Sequence, residues 1–453
     1  MTENKVVLQV GIDDTDSPRG YCTTYTTFKT VVEISSKYEV EFLDYPLLVR
    51  LNPNIPWKTR GNGANAIRLI INSSDLDEIE GTILDTVRRN SDLEHEKTDP
   101  SIVFIKAPEL KVLENIRKFY LKALMDVIDL EEAFKLCERV GADTFFLKEG
   151  NNRGIVGALA ALGALIPGDD FTYELLVYRV RERWGYKRLV DEESVKIMDE
   201  LTRPMTFNNY DHEERRTLIT PRGPDPVLAG IRGEEPWALM DAMRLLRFDE
   251  PYEGWMIFRT NQATDAHLPT LPVKIKEIKP YRPIKLCGRI SANPIRIIGG
   301  HVVSKVEDDS GEVDIIVYEQ GGKLRDVLMR LREGDLIEVY GCAKGFDQSF
   351  TINIEKLVVK ELVDVLFRMA PKCPTCRKRC KSKGRDQGYE CERCGYKMSG
   401  PEYIRIDRNL ELGTYLPPPR SQRHLTKPFV RYGNEKRVPE QIKLHEPWYF
   451  FDS

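Results

Sequence analysis

Three acids near the start of the chain form the first chemically suggestive set. Asp13, Asp14 and Asp16 follow an apolar, β-branched stretch, Val6 to Ile12, and precede Thr23 to Ser36, which reads as a helix. A strand-to-helix turn is a usual place for phosphate chemistry, because free N–H groups at a helix start favour anions. Carboxylates at such a turn repel phosphate unless a divalent cation bridges them, and Mg²⁺ is the hard, oxygen-seeking ion that does so. Hydroxyls at Thr15, Ser17, Thr23, Thr24, Thr26 and Thr27 crowd the same place, with the basic Arg19 beside them. Carboxylates, hydroxyls and an arginine at one turn suggest metal-assisted phosphoryl transfer. The competing reading is a turn closed by an Asp cap.

The second set is made of cysteines. Cys373-x2-Cys376 and Cys391-x2-Cys394 each place two thiolates on one tight turn. Two such pairs complete a tetrahedral sulfur set that suits structural Zn²⁺ and leaves no ligand position open. Gly395 fits the knuckle turn after the second pair. Cys380 can replace Cys376 in this set, although the symmetric spacing favours a bystander thiol. The basic residues around the site, from Lys372 to Lys397, point to nucleic acid, against the plainer reading of a solvated basic surface.

A third candidate is the loop Asn52 to Gly63. Gly61-Asn62-Gly63-Ala64-Asn65-Ala66 formally matches G-x-G-x-x-A, but it leads into a strand, so it is not a dinucleotide fingerprint. With Lys58 and Arg60 it can form a backbone nest for phosphate; a simple loop turn fits equally. The six histidines are scattered and form no evident metal site or catalytic triad.

These residues need elements to hold them. Strands are expected at Val6–Ile12, Leu47–Leu51, Ala66–Ile71 and Ser101–Ile105, and helices at Pro108–Ala123 and Leu130–Val140, an alternation that gives an α/β or α+β domain over residues 1–140. A second, two-layer α+β region spans 141–275, with an Ala- and Gly-rich helix at Ile155–Leu165, a strand at Thr172–Glu182 and a helix at Pro236–Leu246. Small residues on a helix permit close packing or approach of a ligand. Residues 280–365 show five short strands with a helix between the third and fourth, the order of an OB-fold barrel, which other small barrels share. The cysteine module covers 366–416. The tail, 417–453, is rich in proline, aromatic and basic residues and is expected to lack a core of its own.

The length suggests about three domains at roughly 100–200 residues each, or four if some are small. Lys+Arg number 68 and Asp+Glu 71, a formal charge of −3. That excludes a uniformly basic nucleic-acid binder and leaves a local basic patch open. No run of ~18 apolar residues is present, and the N-terminus has no signal pattern, so a cytoplasmic protein without a membrane partner is expected.

Longer motifs carry a resemblance. Gly11-Ile12-Asp13-Asp14-Thr15-Asp16-Ser17 with Arg19-Gly20-Tyr21-Cys22-Thr23-Thr24-Tyr25 resembles the N-terminal signature of the archaeal isoleucine-tRNA 2-agmatinylcytidine synthetases. Asn52 to Ala64, Asn151-x-Arg153-Gly154, Thr172 to Leu176, Gly223 to Leu228 with Gly230 to Gly233, and Asn261-Gln262-x-Thr264-Asp265-x-His267-Leu268 are also similar to that family. The resemblance covers nearly the whole chain and implies a kinase-like domain, a ferredoxin-like domain, an OB-fold and a zinc ribbon in that order.

It further implies an ATP-dependent ligase. Such an enzyme joins agmatine to carbon 2 of the wobble cytidine of an isoleucine tRNA with a CAU anticodon, through a phosphorylated cytidine. The family also cleaves ATP to AMP and phosphorylates a threonine of its own, which by motif position is Thr23. In this reading Asp13, Asp14 and Asp16 hold Mg²⁺ or orient the ATP phosphates, and Arg19 and Gly20 support the transferring phosphate. Lys58, Arg60, Gly61, Asn62 and Gly63 form the opposite wall, on ATP or on a flipped base. Dicationic agmatine needs carboxylates and amide or aromatic walls. The candidates are Asp169, Asp170, Tyr173, Glu174, Asn208, Asp211, Asp225 and Asp265. The barrel, ribbon and tail are expected to carry the RNA. The rival readings are a single-stranded nucleic-acid binder without catalysis and a different ATP-dependent tRNA enzyme.

Overall fold

The computed structural model describes residues 5–346 and 349–452. Residues 1–4, the start of the N-terminus expected to lack a signal, lie outside the described residues. In chain order the body comprises β1 (Lys5–Asp13), α1 (Thr23–Lys37), β2 (Leu47–Arg50), β3 (Gly63–Asn72), α2 (Leu76–Arg89), β4 (Ser101–Lys106), α3 (Leu110–Met125), α4 (Leu130–Val140), β5 (Asp143–Phe146) and α5 (Gly154–Leu162). It continues with β6 (Thr172–Arg179), α6 (Glu192–Thr202), β7 (Thr206–Phe207), β8 (Val227–Gly233), α7 (Pro236–Leu245) and β9 (Tyr252–Thr260).

These strands form one sheet in the order β5-β4-β1-β3-β2-β9-β6-β8-β7. Neighbours are antiparallel except where β2 meets β9, with Leu47 opposite Arg259 and Leu48 opposite Thr260. That parallel pair joins the first two sequence regions into a single sheet. β1 is buried on both faces, with Leu8, Val10 and Ile12 on one and Gln9 and Gly11 on the other, as expected of a strand covered by helices on either side. Helix α5 is buried almost all round and its small residues let it lie directly on β1. A Cβ added at Gly11 would stand 2.1 Å from the Ala158 carbonyl oxygen, and one at Gly157 would stand 1.8 Å from Asp13 Oδ2.

Helices α2 and α6 and strands β8 and β9 are not among the elements that sequence pattern delimits. α2 buries Ile79, Ile83, Thr86 and Val87 on one face, a helical period diluted by the acids between them. β8 contains two glycines in seven residues and reads locally as a turn; a Cβ at Gly230 would meet the Leu176 side chain at 2.9 Å.

The barrel is β10 (Pro283–Arg296), β11 (Val302–Asp308), β12 (Gly311–Val317), α8 (Lys323–Arg330), β13 (Leu336–Phe346) and β14 (Ser349–Glu361). Its sheet runs β12-β11-β10-β13-β14 and closes through a parallel β12–β14 pair, with Ile315 opposite Ile352. Helix α8 lies between the third and fourth strands, as the pattern predicts, and seals the core with Leu324, Val327 and Leu328. A two-stranded hairpin, β15 (Val365–Met369) with β16 (Glu402–Ile406), leads to and from the cysteine module, and β17 (Gly413–Tyr415) extends the barrel sheet.

The C-terminal segment has no core of its own and is laid across the body. Its last strand, β18 (Tyr449–Phe451), pairs with β9. Trp448 is buried against Phe42 and Tyr45, and fully buried Arg431 pairs with Asp170 and Glu234. Among the described residues no helix is long and apolar enough to cross a membrane.

Candidate active site

β1 ends at Asp13 and α1 begins at Thr23, and the turn between them carries the acids. Asp14 takes a left-handed backbone, φ 58°, a conformation Asp tolerates better than most residues. Burial, and next Asp14, pushes the Asp13 carboxyl well above the usual carboxylate range. Burial, followed by Asp16 and Asp99, pushes Asp14 up to about 8. Both therefore sit where a cation would be favoured. Asp16 faces Thr23: its Oδ1 accepts the Thr23 N–H at 2.7 Å and the Thr23 hydroxyl at 3.1 Å. Thr15 donates to Thr23 Oγ1 at 3.2 Å.

The loop Asn52 to Gly63 forms the facing wall. Asn62, with φ 50°, holds the loop closed: its carbonyl accepts the Leu51 amide at 3.0 Å and its Nδ2 donates to the Asn52 carbonyl at 2.7 Å. Lys58 donates to the Pro53 carbonyl, and burial, then Arg423, lowers its ammonium pKa. Arg60 reaches across to Asp16 at 3.1 Å and to Asp225 at 2.9 Å, and also donates to the Tyr21 carbonyl. Burial works against its charge, but Asp16 and its other acidic neighbours raise its pKa above the ordinary value.

Two clefts meet at this point. The first, about 730 Å³, is lined by Asp13, Asp14, Asp16, Thr23, Lys58, Arg60, Asn62 and Gly63, together with Trp57, Asp126 and the start of α5 at Arg153 and Gly154. The Arg153 guanidinium lies 4.5 Å from the centre of the Trp57 ring. The second, about 1020 Å³, shares Asp16, Thr23, Arg60 and Gly63 with the first and adds Gly61, Arg50, Glu174, Phe207, Asn208, Asp225, Arg232 and His424. Thr23 stands on the wall common to both.

Not every expected residue arrives there. Arg19 pairs outside with Asp92, donating from Nε at 2.8 Å, and Gly20 closes a small turn with Ser17; neither lines a cleft. Of the eight residues expected for agmatine, Glu174, Asn208 and Asp225 reach the second cleft. Asp169 pairs with Arg117, Asp170 with Arg431, Asp211 with Arg420 and Asp265 with Lys356. Tyr173 packs against Tyr45 and Phe171. Cleft residues that the sequence did not nominate are Arg50, Arg153, Asp126, Arg232 and His424. Arg153 and Arg232 lie inside motifs of the family resemblance; Arg50 and His424 carry no local signal.

The metal centre lies apart. The sulfurs of Cys373, Cys376, Cys391 and Cys394 all fall within 4.8 Å of one another, the arrangement four thiolates adopt around Zn²⁺. Each pair is wound by the same turn: the amides of Arg377 and Gly395 donate to the carbonyls of Cys373 and Cys391 at 2.8 Å, and both residues have positive φ. Cys380 is buried beside the cluster and is not one of the four.

Comparison with known proteins gives a consistent result along the chain. Three family descriptions match: the TiaS TCKD domain at residues 9–149, the TiaS FLD domain at 152–267 and the TiaS C-terminal zinc ribbon domain at 370–410. The isoleucine-tRNA 2-agmatinylcytidine synthetase TiaS of Ignisphaera aggregans is 38% identical over 98% of both chains. That of Methanocaldococcus jannaschii is 40% identical over 93% of this chain and 98% of its own. A solved structure of a TiaS in complex with its isoleucine tRNA, AMPCPP and agmatine superposes with a TM-score of 0.80 at 36% identity, covering 94% of this chain and 97% of the other.

Proposed function

The chain belongs to the TiaS family, the isoleucine-tRNA 2-agmatinylcytidine synthetases, and from that premise we propose that its two adjoining clefts divide the reaction: ATP in the first, agmatine and the target cytidine in the second. The activity is that of an ATP-dependent ligase that joins agmatine to a cytidine of an isoleucine tRNA. The observation that carries the division is the place of Thr23, on the shared wall with its hydroxyl donating to Asp16.

In the first cleft Asp13 and Asp14 would hold Mg²⁺. Two half-buried carboxyls pushed toward protonation by burial and by neighbouring acids suit a hard, oxygen-seeking cation. No three carboxylates among the described residues close into a ready cage, which fits an ion that keeps most of its shell for water and phosphate. Such an ion, when bound, neutralises charge on a transferring phosphoryl group. Asp16 is placed to take the Thr23 hydroxyl proton as that oxygen attacks a phosphorus of ATP: the new O–P bond forms, the bond from that phosphorus to the rest of the nucleotide breaks, and the departing phosphate oxygen keeps the electron pair. The phosphothreonine formed would sit at the first turn of α1, where free N–H groups stabilise an anion. Arg60 spans from Asp16 to Asp225 and aligns the two clefts.

In the second cleft Glu174 and Asp225 supply carboxylates for the cationic substrate, and Phe207 and Asn208 line its walls. A phosphorylated O2 on the cytidine makes a leaving group of that oxygen. As the agmatine amine attacks, the C–N bond forms, the C–O bond breaks with departure of phosphate, and the amine loses a proton.

We read β6 to β9 as the ferredoxin-like domain: the β-α-β-β-α-β order with the fourth, first, third and second strands side by side supports it. The closed barrel with α8 after its third strand supports an OB-fold that, with the basic ribbon, grips the tRNA. A mass measurement of tRNA incubated with ATP and agmatine tests the function. We expect the wild-type chain to add agmatine and Asp14→Ala to add none while still binding tRNA. Full activity in that variant would remove phosphoryl transfer from the acidic turn.

A further inference from the structure

The segment that follows the ribbon has no part in this reading, yet it contributes to the second cleft. Among the described residues, every other wall residue of that cleft lies between Asp16 and Arg232; His424 arrives from nearly two hundred residues further along. It is not there by accident of a loose end. The His424 and Leu425 carbonyls accept the amides of Ala263 and Asp265, both at 2.8 Å, and buried Arg431 locks the chain a few residues on.

The imidazole meets the charged floor of the cleft. His424 Nδ1 lies 2.9 Å from Arg232 NH2 and 3.0 Å from Gln262 Oε1. Arg232 can only donate and the Gln262 oxygen can only accept, so Nδ1 serves one of the two. The charge-assisted bond from Arg232 is the stronger, which turns the Nδ1 lone pair to the arginine, leaves the Gln262 oxygen without that bond and puts the proton on Nε2. Arg50, and then burial, holds the imidazole pKa well below its usual value, which keeps this neutral form. Among the described residues Nε2 has no hydrogen-bond partner. Gly61 leaves room for the ring: a Cβ there would stand 3.3 Å from Nε2 and Cδ2.

Arg232 also donates from Nε to Glu174 Oε1 at 3.1 Å, and Gln262 donates to Glu174 Oε2. An arginine facing a lone carboxylate closes on it with both arms. Here one arm is drawn to His424, so Glu174 takes one bond from Arg232 and one from Gln262 and keeps the remaining acceptor positions of its two oxygens for another cation.

We propose that His424 is a positioning residue of the agmatine site: by accepting Arg232 at Nδ1 it keeps the arginine from closing on Glu174 and leaves that carboxylate open to the cationic substrate. The inference rests on the placement of agmatine in the second cleft. His424 touches Arg232 rather than a reacting atom, so its effect falls on substrate affinity.

The test is steady-state kinetics on the full chain with tRNA, ATP and agmatine. His424→Ala is expected to raise KM for agmatine about tenfold, the scale of one charge-assisted hydrogen bond, with KM for ATP and tRNA affinity unchanged. His424→Asn places an oxygen where Nδ1 stands and should recover most of the loss; His424→Gln places its acceptor near Nε2 and should not. That Asn-against-Gln contrast decides the matter even if the alanine variant fails to fold. Equal KM for agmatine in the alanine variant, or equal recovery by Gln and Asn, overturns the inference. Glu174→Gln separates the two levels. If it leaves KM for agmatine unchanged, the cleft assignment fails and takes this inference with it. If it raises KM while His424→Ala does not, only the role of His424 is lost.

Discussion

Arg60 holds three partners from two segments: the Asp16 carboxylate and the Tyr21 carbonyl of the acidic turn, and the Asp225 carboxylate. A planar fork of fixed donors can do this and a lysine cannot, because one ammonium on a flexible stem makes its contacts one geometry at a time. Arg60→Lys keeps the charge and loses the alignment of the two clefts. The expected outcome is a fall in kcat of about a hundredfold, the cost of a small misplacement of reacting groups, with tRNA affinity within a factor of ~2. Single-turnover assays of the tRNA product measure it, and near-normal turnover would show that only the charge matters. Asp13, Asp14, Asp16, Thr23, Lys58 to Gly63 and the four cysteines were legible in the sequence because each group is contiguous, so that type and spacing alone describe it. The acids of the second region were not separable in that way. All six acids pair with arginines or lysines far away in the chain, but Glu174 and Asp225 do so on the cleft wall and Asp169, Asp170, Asp211 and Asp265 away from it. Residue type announces an acid but not its partner.

Helix α5 shows the same limit one level up. Its Ala and Gly content signalled close approach, and the structure shows what approaches: β1 through Gly11, and the Asp13 carboxylate through Gly157. A methyl group at Gly157 would stand 1.8 Å from Asp13 Oδ2, so the Asp13 carboxylate must leave its place or the helix must move. Gly157→Ala should therefore part α5 from the Asp13 carboxylate, costing about 1–3 kcal/mol of stability and nearly all activity. Thermal unfolding and the tRNA mass assay report the two effects, and an alanine variant with wild-type turnover would mean the helix is free to move. Elements with one clear period, such as β1, α4 and the barrel strands, were visible beforehand. β8 was not, because its two glycines serve tight packing rather than a turn. β9 pairs with strands from both halves of the sheet, a relation that no local window contains.

The whole molecule changes the meaning of its basic C-terminus. The near-zero net charge of −3 conceals a division between acids in the clefts and bases further on, but ribbon and tail are not alike. Arg420, Arg423, Lys427, Arg431 and Lys436 of the tail are all paired with acids of the body or of the tail itself. They contribute to folding more than to an RNA-facing surface. The ribbon, by contrast, hangs from the β15–β16 hairpin with a small core of its own, where Cys380 packs beside the four-cysteine set. Removing the two should therefore have opposite signatures. Excising residues 371–400, which keeps the β15–β16 hairpin and the Arg408–Asp335 pair that anchors it to the barrel, should weaken tRNA binding while ATP binding and the melting temperature of the body stay as they are. Ending the chain after Leu416 strips away β18, His424, Arg431 and Trp448; a buried tryptophan alone is worth about 3–5 kcal/mol against alanine. That truncation should lower the melting temperature sharply and expose the second cleft. Calorimetry and filter binding on the two variants decide it: a tail-less chain that melts like the wild type would return the tail to the surface, and a ribbon-less chain with full tRNA affinity would leave the barrel as the tRNA grip.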